Sequence, residues 1–131
     1  MARILLVDDS PSIRSLLEKT LRAAGHEVAA ADNGKDGLKL AQREPRFDLI
    51  LTDIYMPDGD GLEFLFSLRR AGAPIPVIAM SSATSGPKNM LAAARTIGAK
   101  LTLHKPFTAV DLLKAVDSVI RRIHAAEPQR T

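Results

Sequence analysis

The chain of 131 residues contains no cysteine, which excludes disulfides and thiolate metal sites, and with them the covalent framework of small secreted domains. Tryptophan is absent and tyrosine occurs once, leaving little aromatic surface on which nucleic-acid bases could stack. No long apolar run is present. The opening MARILLVDDS reaches only Ile4-Leu5-Leu6-Val7 before two aspartates, too short for a signal-peptide core or a membrane span. A cytoplasmic protein with no membrane partner is expected. Charge of one sign is not concentrated either. The net charge of +3 comes from 18 basic and 15 acidic residues, with the basic ones scattered from Arg3 to Arg130. The pairs Arg69-Arg70 and Arg121-Arg122 fall near expected helix ends, where cations offset the macrodipole. They read as solvated helix ends, with no direct binding of nucleic acid.

What is present is a five-fold alternation of apolar runs with helical periodicity. A chain of this length fits one domain, burying roughly two thirds of its unfolded surface, expected over residues 1–124 with a short tail at 125–131. Ile4 to Val7 reads as a first strand. Ser10-Pro11 reads as an N-cap and first helical residue, and Ile13, Leu16, Leu17, Thr20, Leu21 and Ala24 as one helical face stopped by Gly25. Residues 27–31 form a weaker strand, and Asn33 caps a helix from Gly34 to Arg43. Leu49 to Leu51 is a third strand, and the glycine-rich loop 56–61 precedes a helix with Leu62, Leu65, Phe66 and Leu68 inward, ending by Gly72. Gly59 and Gly61 read as loop flexibility. Val77 to Met80 is a fourth strand. Ser85-Gly86-Pro87 opens a helix stopped by Gly98, and residues 100–104 form a fifth strand. A last helix carries Leu112, Leu113, Val116, Val119, Ile120 and Ile123 inward.

The strands differ in how apolar they are, and this orders the sheet. Strands one, three and four are continuous apolar runs, as required of interior parallel strands covered on both faces; the second is alanine-rich and the fifth carries Thr102, which suits edges. Right-handed crossovers then give a flavodoxin-like (βα)5 three-layer α/β sandwich of order 2-1-3-4-5, with its switch point between strands one and three. Asp8, Asp9 and Asp53 end strands one and three at that crevice, Ser82 lies just beyond strand four, and Lys105 follows strand five.

Carboxylates gathered in one pocket repel one another unless a cation neutralises them. Mg²⁺ suits an all-oxygen donor set and shares ligands with phosphate, whereas His26, His104 and His124 do not have zinc-ligand spacing. Asp53 stands alone on the central strand and is the candidate nucleophile toward phosphorus, with Asp8 and Asp9 holding the ion. Lys105 supplies a compact positive charge and Ser82 a hydroxyl donor to the phosphoryl group. Two other classes compete. An aspartyl-nucleophile phosphohydrolase commonly needs a second carboxylate two residues after the nucleophile, and position 55 is Tyr. A flavin carrier would place an anionic phosphate against the acidic rim, and no glycine-rich cradle follows the first strand.

At LLVDDS, at DIYMPDGDGLE around Asp53, at Ser81-Ser82-Ala83 and at GAKLTLHKPF, the chain resembles the receiver domain of two-component response regulators, of the single-domain chemotaxis-regulator kind. The match runs from Ile4 to about Ile123. The resemblance implies that Asp53 accepts a phosphoryl group from a sensor histidine kinase or histidine phosphotransfer protein. It implies that Asp9, Asp53 and the Tyr55 carbonyl ligate Mg²⁺, with Asp8 acting mainly through a water. It also implies that Ser82 and Lys105 hold the phosphoryl oxygens and that Lys105-Pro106 is open to the cis isomer. Such a protein is a switch rather than an enzyme, catalysing only its own phosphorylation and dephosphorylation. Family members usually carry an aromatic three residues before the lysine; Thr102 stands here, so the usual readout through the fourth helix, fifth strand and fifth helix is not expected in its ordinary form. Tyr55, two residues after Asp53, is expected to shade the phosphoryl group from water and so to slow its loss. With no output domain after the last helix, signalling is expected through protein contacts with a downstream target; the alternative is a fragment of a longer regulator.

Overall fold

The computed structural model describes residues 2–43, 47–54, 61–72, 75–82 and 90–126, with side chains except at 82, 90–93 and 122–126. Strands and helices alternate as β1 (Arg3–Val7), α1 (Pro11–Ala23), β2 (Glu27–Ala31), α2 (Gly34–Arg43) and β3 (Leu49–Asp53), followed by α3 (Gly61–Arg70), β4 (Val77–Ser82), α4 (Met90–Ile97), β5 (Leu101–Lys105) and α5 (Ala109–Ala126). All strand pairs are parallel, in the order β2-β1-β3-β4-β5. This is the doubly wound order that the apolarity of the strands predicted.

Alternation along each interior strand explains why those runs are apolar throughout. Leu5, Val7, Ile50, Val77 and Ala79 enter one core with Ala41, Phe64, Leu65, Leu68 and Ala94 from α2, α3 and α4. Their neighbours Ile4, Leu6, Leu49, Leu51, Ile78 and Met80 enter the other, against Leu17 and Leu21 of α1 and Leu112, Val116 and Val119 of α5. Side chains of successive strand residues point to opposite faces, so each face needs its own apolar set.

The helix stops read from the sequence have a backbone cause. Gly25, Gly72 and Gly98 take φ of 93°, 73° and 126°, the left-handed region that side chains avoid. Asn33 caps α2 as expected, accepting the Asp36 amide at 2.8 Å. Ser10 occupies the N-cap position of α1, but its side chain makes no cap bond; its own amide is instead taken by Asp8 Oδ1 at 2.9 Å. An unforeseen capping box starts α5, where Thr108 Oγ1 accepts the Asp111 amide at 3.1 Å and Asp111 Oδ2 accepts the Thr108 amide at 3.3 Å.

Several facing assignments change. Phe64, not Phe66, is the aromatic that α3 buries, at 3% exposure against 52%. Leu16 of α1 is likewise exposed, while Leu17 and Leu21 are buried. Arg69 is no solvated helix end: its guanidinium donates to the Ile75 carbonyl at 3.1 Å and the Gly98 carbonyl at 3.2 Å, tying α3 to the chain around β4 and α4. The Arg121-Arg122 pair lies inside α5, which continues to Ala126. The helix start assigned to Ser85-Gly86-Pro87 falls outside the described residues.

Candidate functional site

The ends of three strands bring together side chains far apart in sequence. Asp8 follows β1, Asp53 is the last residue of β3 and Lys105 the last of β5. Lys105 Nζ donates to Asp8 Oδ2 at 2.8 Å and to Asp53 Oδ2 at 2.9 Å. Asp8 is 0% and Asp53 7% exposed, so both carboxylates are withdrawn from bulk water. Asp9 is exposed, yet each of Asp8, Asp9 and Asp53 offers a carboxylate oxygen within 4.8 Å of the others. The sheet order produces this meeting: β1 and β3 are neighbours, and a lysine is long enough to reach them from β5.

The scaffold fixes Asp8 from every side. Its amide donates to the Ala31 carbonyl at 3.2 Å, its Oδ1 accepts the Ser10 amide, and its carbonyl accepts Arg14 Nη1 at 3.0 Å. The backbone at Asp53 is held as firmly. Thr52 Oγ1 donates to the Asp53 carbonyl at 3.0 Å, and the Ile54 amide donates to the Met80 carbonyl at 2.9 Å.

Burial works to lower the Lys105 pKa, but its hydrogen bonds to Asp8 and Asp53 and their negative charges outweigh that and raise it above the ordinary lysine value. The side chain is therefore an ammonium at neutral pH. Three carboxylates against this one ammonium form a pocket of hard oxygen donors, a set that fits a small divalent cation of the magnesium class. Both Asp8 oxygens are already engaged, one by Ser10 and one by Lys105, whereas Asp9 is exposed at the rim of the cluster.

The structure thus brings together Asp8, Asp9, Asp53 and Lys105. Ser82 is the final residue of β4 rather than a residue beyond it, and it pairs in register with Lys105. Tyr55 lies outside the described residues. The Lys105-Pro106 bond is cis. Thr102, half-buried on β5, sits in register with Ala79. Two participants were not found by sequence reasoning. Arg14 has no signal beyond its position one turn into a helix. Gly61, read as loop flexibility, is buried at the start of α3 and touches the backbone of Asp53.

Comparison with known proteins places this geometry. The family model "Response regulator receiver domain" matches residues 4–117. Among curated relatives, the transcriptional activator protein PfeR of Pseudomonas aeruginosa is 40% identical over 121 residues, covering 92% of this chain and 38% of that protein. The alkaline phosphatase synthesis transcriptional regulatory protein PhoP of Bacillus subtilis is 32% identical, covering 96% of this chain and 51% of the other. The chain thus spans about half or less of the length of these relatives. Chemotaxis protein CheY4 of Vibrio cholerae superposes with a TM-score of 0.81 at 36% identity, covering 91% of this chain and 98% of its own. A CheY-like receiver domain protein from Methanospirillum hungatei gives 0.88 at 26% identity, covering 97% and 99%. With the strand-end cluster and the sheet order in agreement, the chain belongs to the response regulator receiver domain family.

Proposed function

We propose that the chain is a phosphoacceptor switch in which Asp53 takes a phosphoryl group from the phosphohistidine of a sensor kinase or phosphotransfer protein. The observation that carries this reading is the Lys105 ammonium bridging the carboxylates of Asp8 and Asp53. An Asp53 oxygen attacks phosphorus, the bond from phosphorus to the imidazole nitrogen breaks, and the departing histidine keeps that electron pair and takes up a proton. The product is an acyl phosphate. Lys105, released from its bond to the Asp53 oxygen, is in place to hold a phosphoryl oxygen, and Ser82 at the tip of β4 is the candidate donor to another. Asp9 and Asp53, with the Tyr55 carbonyl and Asp8 behind a water, would hold Mg²⁺, which supplies charge neutralisation at the phosphoryl oxygens.

Phosphorylation then biases two arrangements of the domain and alters a surface that a protein target reads. The chain turns over no substrate other than its own aspartyl phosphate, and residues 1–124 suffice for the reaction, in the cytoplasm. The test is incubation with acetyl phosphate and Mg²⁺, with Asp53→Asn as control. Mass spectrometry should find one added phosphoryl group on the wild type and none on the variant. Equal labelling of both, or steady turnover of a phosphoester, would overturn the reading.

A second reading has its own support: PfeR and PhoP are transcriptional regulators much longer than their matched portion. In that reading the same switch governs an output region elsewhere in a longer chain, and the chemistry at Asp53 is unchanged.

A further inference from the structure

We infer that Gly61 is a positioning residue for the Asp53 nucleophile, because no side chain fits between the start of α3 and the backbone that carries the carboxylate. A Cβ built on Gly61 would collide with the Asp53 carbonyl oxygen and with Ile54 Cα, and would stand 2.9 Å from the Asp53 carbonyl carbon. All three are backbone atoms. Relief therefore requires moving β3 or α3 itself, unlike a clash with the end of a flexible side chain.

Conformation does not demand glycine here. Gly61 is outside the positive-φ group of Gly25, Gly72 and Gly98, and alanine is the better helix former. What remains as the reason is close approach. The Gly61 amide donates to the Ile54 carbonyl at 3.0 Å, so the chain leaving β3 is clasped to the chain entering α3. Asp53 is pinned from one side by Thr52 Oγ1 and from the other by this clasp. The inference rests on the phosphoacceptor reading, since it concerns where that acceptor oxygen is held.

Gly37 provides the control. A Cβ there would meet Val7 Cγ2 at 2.8 Å and the Phe64 ring at 3.3 Å, so it crowds core side chains and not the backbone that carries Asp53. Gly37→Ala and Gly61→Ala are compared with wild type for the acetyl phosphate labelling rate at saturating Mg²⁺, for Mg²⁺ affinity by calorimetry, and for urea stability. Gly61→Ala should slow labelling at least about tenfold, since displacements of about an ångström can cost a hundredfold. Gly37→Ala should stay within about threefold even where its stability loss is equal or greater. A folded Gly61→Ala that labels at the wild-type rate sinks this role alone; absence of labelling in the wild type sinks the phosphoacceptor reading with it. Should Gly61→Ala not fold, the wild type still decides. The clasp requires the Gly61 amide to be protected from hydrogen exchange and to shift in NMR spectra with the same Mg²⁺ midpoint as residues 53 and 54. A freely exchanging or Mg²⁺-silent amide overturns the inference.

Discussion

Lys105→Met tests whether the bridging ammonium is what keeps the acidic pocket together before any metal arrives. The substitution keeps much of the aliphatic stem and removes two charge-assisted hydrogen bonds, at 2.8 and 2.9 Å, from carboxylates whose side chains are 0% and 10% exposed. Bonds to charged groups contribute about 1.5–3 kcal/mol each, and stripping one partner from a buried pair costs about 3–5 kcal/mol. The Lys105 side chain is itself only 16% exposed, so deleting it removes the cost of burying an ammonium and trims the loss. A net loss of about 2–4 kcal/mol at neutral pH without Mg²⁺ follows, a large part of the roughly 5–15 kcal/mol that holds a domain together. Mg²⁺ should offset part of that loss. With Asp8 Oδ2 and Asp53 Oδ2 vacated by the lysine, the variant should bind the ion at least about tenfold more tightly, worth about 1.4 kcal/mol. The assay is urea unfolding followed by circular dichroism, with and without Mg²⁺, beside calorimetric Mg²⁺ titration of both proteins. A Mg²⁺-free loss below about 1 kcal/mol, together with unchanged Mg²⁺ affinity, would refute the electrostatic reasoning.

Two further outcomes follow from the packing of α3 and from the chain ahead of β2. Phe64→Ala should destabilise by about 3–5 kcal/mol while Phe66→Ala, exposed beside Arg70, should change stability by less than about 1 kcal/mol; reversed magnitudes in denaturant unfolding would mean that the facing of α3 is wrong. Burial holds His26 below its ordinary pKa against the opposing charge of Asp117, and His26 Nδ1 accepts the Ala2 amide at 3.0 Å, so the fold favours the neutral ring. The unfolded chain then binds the proton first on acidification. This stabilisation is complete above about pH 6.5 and declines as pH falls through the lowered folded value. His26→Gln, which retains an acceptor, should flatten that part of the stability profile; parallel profiles for the two proteins would exclude the effect.

The sheet order was legible because the interior strands must be apolar on both faces and the edges need not be, a difference visible in Leu49-Ile50-Leu51 against Val28-Ala29-Ala30. The site was legible for a related reason: a buried strand that ends abruptly in Asp or Lys leaves no choice about which rim receives the charge. What failed was finer. Phe64 and Phe66 differ by two residues, and in a helix of mixed apolar sequence the periodicity fits either phase until packing against Val7 and Gly37 selects one. Gly61 was misread because a glycine in a loop-like run looks the same whether it supplies freedom or merely lacks a Cβ. Arg69 and Arg14 escaped since their partners are carbonyl oxygens, which carry no signature in sequence. The Thr108 and Asp111 box needed only attention to residue types three apart, and was there to be read.

Asp8, Asp9, Asp53 and Lys105 all hang from a strand tip or from the residues just past one, and among the described residues no helix surface contributes a side chain to their cluster. Evolution can therefore rewrite the outward faces of α2, α3, α4 and α5 to suit new listeners while the reactive centre stays still. Among the described residues, the Arg14 bond to the Asp8 carbonyl makes α1 an exception. Divergence along that helix is the kind that would be felt at the pocket, and it is there that adaptation to a new partner should leave chemical traces.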